Sequence, residues 1–259
     1  MLQLYNMNLF QTFLLSVVEG ISEFLPISST GHLILISNLL KISQTEFVKS
    51  FEIIIQLGAI LAVLVIYFKK LIVNFKFDLW KKIIIAFIPS AVFGLFFYKF
   101  IKDYLIGNSL VVVISLLMGG IIMIIFEKKF KQKNKKLKYF DYLIIGFFQI
   151  FSMIPGVSRA FATIFGGMIA GLNRKNATEF SFFLAIPTMF GATVLDLIKT
   201  DLSLWTNTNY SILSIGFFTS FITAYMTVKI LIKFVQNNNY IGFGWYRIIL
   251  ALTFFLFAI

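Results

Sequence analysis

Six stretches of this chain, Phe51 to Phe68, Ile83 to Phe100, Leu110 to Phe126, Thr178 to Ile198, Ser211 to Val235 and Tyr240 to Ile259, are long, apolar and separated by short loops. About 20 such residues in helical form cross the hydrocarbon core of a bilayer, and this constrains the fold more than anything else in the sequence. Only 13% of the residues are charged and 59% are hydrophobic, whereas a soluble domain carries roughly 25% charged residues. The reading is an all-α integral membrane protein, a single polytopic domain over residues 1–259 with no length left for a soluble one. The net charge of +12 suggests nucleic acid at first sight. In a membrane protein, however, lysines gather on the cytoplasmic side against anionic lipid, so the partner implied is the lipid bilayer and no nucleic acid is expected. The absence of cysteine excludes disulfides and thiolate metal sites. No cleavable signal peptide is expected, because the N-terminus lacks a basic region and the first apolar segment runs directly into a polar motif.

Two further apolar regions are interrupted. Leu9 to Phe24 and Thr30 to Leu40 flank Pro26, which lacks an N–H and disfavours helical geometry at Leu25. Tyr139 to Met153 is cut in the same way by Pro155 and Gly156, before a basic turn at Arg174 and Lys175. The loop with Lys69, Lys70, Lys76, Lys81 and Lys82 holds only Asp78 in opposition, and the loop 127–138, EKKFKQKNKKLK, sets seven lysines against one glutamate. Both loops are cytoplasmic by the positive-inside rule. Counting sides from them, the first interrupted pair begins and ends outside and the second begins and ends inside, so each is a hairpin that dips into the membrane from its own face. Pro26 and Pro155 stand 129 residues apart, as do Ser29 and Ser158, and Glu52 and Glu179 stand 127 apart. The spacing predicts an inverted-topology repeat over approximately 1–127 and 139–259, with six full transmembrane helices and two helix-break-helix re-entrant hairpins, ten helices in all.

Polar residues collect at the two breaks. The stretch VEGISEFLPISSTGHL, Val18 to Leu33, holds Glu19, Glu23, Ser28, Ser29, Thr30 and the only histidine, His32. Glu19 and Glu23 lie one helical turn apart on one face and repel each other unless a cation or proton lies between them. After Pro26 the residues Ser28 to Gly31 can cap a new helix, whose free N–H groups attract anions. A metal-bound phosphate suits both features. The second break offers Ser158, Arg159 and Thr163. An arginine at that depth is costly unless paired, and its planar fork matches phosphate oxygens. The structural alternatives are Arg159 paired with a buried glutamate, Glu19 and Glu23 sharing a proton, and His32 as a packing residue. Glu52 and Gln56 sit at a span entrance, where polar groups are tolerated. Glu179 fits the first turn of its helix, and Gly166, Gly167 and Gly171 fit close helix packing.

Taken together, Glu19 to His32 (EGISEFLPISSTGH), Phe51 to Gly58 (FEIIIQLG), PGVSR with Thr163, and EFSFFLAIPTMFGAT after Thr178 resemble the bacterial undecaprenyl-diphosphate phosphatase family, also associated with bacitracin resistance. The resemblance covers essentially the full chain. It implies a multi-pass phosphatase of the bacterial plasma membrane, open to the outer face, that removes the terminal phosphate of a polyprenyl (C55) diphosphate lipid substrate and regenerates the carrier lipid for cell-wall synthesis. Phosphoryl transfer needs charge neutralisation, positioning and a nucleophile. The expected assignment has Glu19 and Glu23 holding a divalent cation, Mg²⁺ or Ca²⁺, and Arg159, Ser158 and Thr163 gripping the phosphate oxygens. Ser28, Thr30 and Gln56 complete the substrate site, and Ser29 is the nucleophile with His32 as general base. A competing assignment makes His32 itself the nucleophile. One departure is visible: where the family commonly reads PG-x-SRSG-x-T, this chain has Ala160 and Phe161, which removes any hydroxyl at 160 and narrows the pocket. The alternative class of function is a transporter or flippase for a phosphorylated lipid, suggested by the inverted repeat. The gathering of nucleophile, base, metal ligands and phosphate clamp favours the enzyme. Whether the chain forms a homo-oligomer is left open.

Overall fold

The computed structural model describes residues 7–100, 105, 108–131 and 135–257. Among these the chain forms ten α-helices and no strand: α1 (Leu9–Ser22), α2 (Ser29–Leu39), α3 (Glu46–Ile66), α4 (Phe77–Phe100), α5 (Ser109–Lys129), α6 (Tyr139–Ile150), α7 (Arg159–Ala170), α8 (Arg174–Lys199), α9 (Asn207–Asn237) and α10 (Ile241–Phe257). Five of them, α3, α4, α5, α8 and α9, are long and apolar enough to cross a membrane. The sixth expected span, α10, is described over 17 residues, and its expected end at Ile259 lies outside the described residues, as does Lys133 of the second basic loop. The outer faces of these helices are apolar, with Phe96 82%, Ile198 77% and Leu256 73% exposed, the surface a protein presents to lipid rather than to water. The chain is a multi-pass membrane protein.

Five of the six expected spans, all but α10, begin before their apolar runs, and a capping side chain sets the start of α3, α5, α8 and α9. Thr45 accepts from the Val48 N–H and starts α3 before Phe51, and Asn173 accepts from the Asn176 N–H and starts α8 before Thr178. Arg174 and Lys175 are therefore helical rather than a loop, and Lys81 and Lys82 lie in the first turns of α4, where Lys82 pairs with Asp78. The shift also moves Glu179 out of the first turn of α8. It sits one turn further on and pairs with Lys70 at 2.7 Å. Pro89 and Pro187 lie inside α4 and α8. Beside Pro187, Thr188 donates to the Leu184 carbonyl and faces Gln149.

Packing pairs the two halves of the chain. α1 and α3 lie on α9, α6 and α8 lie on α4, and α5 lies on α10, while α2 joins α1 and α5, and α7 joins α6 and α8. The packing of α1 and α3 on α9 parallels that of α6 and α8 on α4, whereas α2 and α7 differ in their second neighbour, α5 for the one and α8 for the other. Gly166 packs against Phe148 and Ile145, and Gly167 against Ala177, in line with a packing role for these glycines. Both interrupted segments end inside this bundle: Pro26 to Ser28 between α1 and α2, and Pro155 to Ser158 between α6 and α7.

Candidate active site

The two breaks close in the same way. Ser28 and Ser158 are the N-caps of α2 and α7, with φ of 72° and 77°, and each hydroxyl accepts from the N–H three residues on, Gly31 and Phe161, at 3.2 Å. Non-glycine residues rarely hold this conformation, which costs of order 1–3 kcal/mol; the cap and the surrounding packing sustain it. The matching pair is thus Ser28 with Ser158, one residue off the register expected from Ser29 and Ser158. The shift places Ser29 and Arg159 at equivalent points, the first residue of each helix.

From those points both side chains reach Glu23. The helical geometry of α1 continues through Glu23, whose N–H donates to the Glu19 carbonyl, so the two carboxylates stack a turn apart as the sequence implies. Arg159 Nη2 donates to Glu23 Oε1 at 2.9 Å, and Ser29 Oγ donates to Glu23 Oε2. Both ends of the ion pair are buried, with side chains 9% and 4% exposed. The pairing of Arg159 with a buried glutamate, raised as a structural alternative, is present and lies inside the candidate site. Arg159 Nη1 donates to the Ser181 carbonyl at 2.9 Å, leaving its buried Nε without a partner.

Thr163 stands behind Arg159, its hydroxyl donating to the Arg159 carbonyl at 2.9 Å and sharing a 2.6 Å hydrogen bond with Ser181. Ser158 is occupied as a cap. Phe161 is buried and packs against Phe165, with ring centroids 4.4 Å apart. Thr30 is half-buried next to Ser29, and Gln56 is half-buried on α3, one turn beyond Glu52, which accepts from Ser37 at 3.3 Å.

His32 does not meet Ser29. Its Nδ1 lies 2.7 Å from the Ser28 carbonyl and its Nε2 lies 2.7 Å from the Tyr246 hydroxyl. A carbonyl only accepts, so Nδ1 carries the proton, and in the neutral ring Nε2 presents its lone pair to the Tyr246 O–H. The Ser29 hydroxyl is hydrogen-bonded to the Glu23 carboxylate instead.

Among the described residues no three acidic or histidine side chains converge to form a metal cage on their own. The residues present nevertheless fit a divalent cation. Glu19 is fully buried, and neither of its carboxylate oxygens has a hydrogen-bond partner; a carboxylate in that condition needs a cation or a proton. Together with Glu23 it makes a hard-oxygen pair of the kind that holds Mg²⁺ alongside substrate phosphates.

This geometry occurs in a chain whose residues 12–253 match the family described as bacitracin resistance protein BacA. The chain belongs to that family. It is similar to proteins named undecaprenyl-diphosphatase: 54% identical to one from Aquifex aeolicus, covering 95% of this chain and 98% of that one; 47% identical to one from Sulfurihydrogenibium sp., covering 96% and 99%; and 45% identical to one from Persephonella marina, covering 98% and 100%.

In this member of the BacA family three residues at the site, Tyr246, Arg247 and Ser181, were not anticipated from sequence. Tyr246 and Arg247 both come from α10, the helix read as a plain final span. Arg247 is fully buried. The signal was an ionisable residue in an otherwise apolar run, which marks a site by default. Ser181, which holds Thr163 and Arg159, carried no such signal, since serine is common in packed membrane helices.

Proposed function

We propose that this chain hydrolyses undecaprenyl (C55) diphosphate to undecaprenyl phosphate and inorganic phosphate, recycling the lipid carrier for peptidoglycan and cell-wall polymers and thereby conferring bacitracin tolerance. The single observation that carries the reading is Glu23, held between the hydroxyl of Ser29 and the guanidinium of Arg159 at the meeting of the two breaks. The family match and the relatives' printed names support it.

In this reading Ser29 Oγ attacks the terminal phosphorus and its proton passes to Glu23. The bond from that phosphorus to the bridging oxygen breaks, and the lipid monophosphate departs. Water then takes the place of the Tyr246 hydroxyl at His32 Nε2 and attacks the phosphoserine as that nitrogen accepts its proton; the bond from phosphorus to Ser29 Oγ breaks, Glu23 returns its proton to Oγ, and phosphate is released. Arg159 is the phosphate clamp: a phosphate oxygen displaces Glu23 from its fork. Ser158, Thr163, Ser28, Thr30 and Gln56 shape the headgroup site around it. A divalent cation, Mg²⁺ or Ca²⁺, would be held by Glu19 and Glu23 and supplies neutralisation of phosphate charge when bound.

The basic loops give the orientation. Lysines at 69–82 and 127–138 on the inside fit an inverted repeat over 1–127 and 139–259, and membership of the family supports a place in the bacterial plasma membrane with the site open to the outer face. The test is phosphate release from a polyprenyl diphosphate in detergent by purified wild type and Arg159→Ala, with Mg²⁺ and with EDTA. Metal-dependent release that is lost in the variant supports the enzyme. No release from well-folded wild type in any divalent metal overturns it in favour of a lipid-phosphate transporter.

A further inference from the structure

The guanidinium of Arg247 has five N–H groups, and the structure satisfies all five with backbone carbonyls. Nε donates to Leu116 at 3.4 Å; Nη1 to Pro26 at 3.3 Å and Val157 at 3.0 Å; Nη2 to Ser115 at 3.0 Å and Gly156 at 2.9 Å. Its remaining face covers the Phe161 ring, 5.0 Å from the centroid. No acidic side chain pairs with it among the described residues. Burying a charge this completely is expensive, so the side chain is held where few other uses explain it.

What it holds is informative. The Pro26 carbonyl belongs to the first break, three residues before Ser29. The Gly156 and Val157 carbonyls belong to the second, three and two residues before Arg159. The Ser115 and Leu116 carbonyls are on α5, which supports both. Gly119 makes room for the group, since a Cβ there would lie 2.1 Å from Nη2, and Gly156, where φ is +94°, lets the second break lie close on α5, since a Cβ there would lie 2.6 Å from the Val112 carbonyl. We infer that Arg247 is a positioning residue that ties the two breaks into one rigid unit and thereby sets Ser29 and Arg159 in register on Glu23. It touches no reacting atom and acts through backbone alone. A lysine offers three donors from one point and cannot bridge carbonyls on three segments.

This inference rests on the phosphatase reading for its catalytic consequence, but the tie itself is measurable without activity. The chain has no cysteine, so a pair introduced at Leu25 and Val157 can be spin-labelled in full-length protein and the distance between the breaks read by dipolar EPR. The background is expected to give one narrow distribution, and Arg247→Met, Arg247→Lys and Gly119→Ala broad or shifted ones. In unlabelled, monodisperse protein the same three changes should lower kcat by on the order of 100-fold, the scale for misplacing reacting groups by about 1 Å, with KM within a few-fold. Gly119→Ala combined with Arg247→Met should be no worse than Arg247→Met alone, because both remove the same tie. A role confined to overall stability would lower the melting temperature while leaving the distance distribution and the kcat of surviving protein unchanged, and that result overturns the inference. If wild type releases no phosphate, the functional reading fails and the EPR result still decides the tie. If Arg247→Met does not fold, Arg247→Lys and Gly119→Ala carry the same comparison.

Discussion

Ser29 and Arg159, 130 residues apart in the chain, hold the two oxygens of a single carboxylate, that of Glu23. Each is the first residue of a helix that follows a break, so the two halves of the chain contribute equivalent positions with opposite chemistry: a hydroxyl that can be deprotonated and a permanent cation. Glu23 is both acceptor for the first and counter-ion for the second.

Replacing Glu23 with Gln keeps the shape and removes both services. Turnover should fall by about 10²–10⁴, the usual contribution of a general base. The melting temperature should fall as well, since leaving Arg159 buried without its partner costs about 3–5 kcal/mol. Phosphate release and thermal unfolding in detergent measure the two effects. Turnover within a few-fold of wild type would remove Glu23 from the chemistry.

Chelation should abolish phosphate release, and added Mg²⁺ or Ca²⁺ should restore it. In Glu19→Gln the cation concentration for half-maximal activity should rise by at least about tenfold, the lower end of what disturbing a metal site costs. Glu19 has two buried oxygens without partners, so an unchanged cation requirement in a folded variant would mean that a proton, not a metal, occupies that carboxylate.

Tyr246→Phe removes one O–H from His32 Nε2 and little else. A hydrogen bond of about 1 kcal/mol corresponds to roughly a fivefold loss of turnover, with stability close to wild type because the hydroxyl is at the edge of the site. No change in turnover, measured as phosphate release at saturating substrate, argues that His32 is a packing residue after all.

Ser158 combines a cap with a left-handed backbone, and two substitutions separate them. Ser158→Ala loses the cap, worth about 0.5–2 kcal/mol, and keeps a side chain in an unfavourable conformation. Ser158→Gly loses the same cap but tolerates positive φ. The melting temperature should therefore order as wild type, Gly, Ala, and Ala above Gly would contradict the backbone argument.

Much of this was readable beforehand because prolines and caps act locally. Pro26, Pro155 and the serines after them announce two breaks from sequence alone, and the stacked Glu19 and Glu23 follow from helical periodicity. The pairing of Ser29 was not readable. Ser29 and His32 are near neighbours on one helix, which suggests contact, yet the ring is drawn back to the Ser28 carbonyl and across to Tyr246, while Ser29 turns to a carboxylate on the preceding helix. That choice depends on how α10 packs on α5, a tertiary relation that no local pattern encodes. The same packing hides Arg247, which in sequence is one charge in an oily run and in space is the point where both breaks meet. The one-residue register offset between the breaks has a similar origin: spacing counts residues, whereas the structure aligns the strained caps.

The nucleophile assignment can be checked by linkage chemistry. Enzyme quenched during turnover should carry phosphate on Ser29 in an acid-stable ester. An acid-labile phosphoenzyme points instead to His32.

The most direct measurement is phosphate release from a polyprenyl diphosphate by purified wild type and Ser29→Ala, both monodisperse and in the same divalent cation. The account predicts sustained release by wild type and a loss of at least about 10³-fold in the variant, the scale of removing a nucleophile. Ser29→Ala turning over within a few-fold of wild type would contradict it.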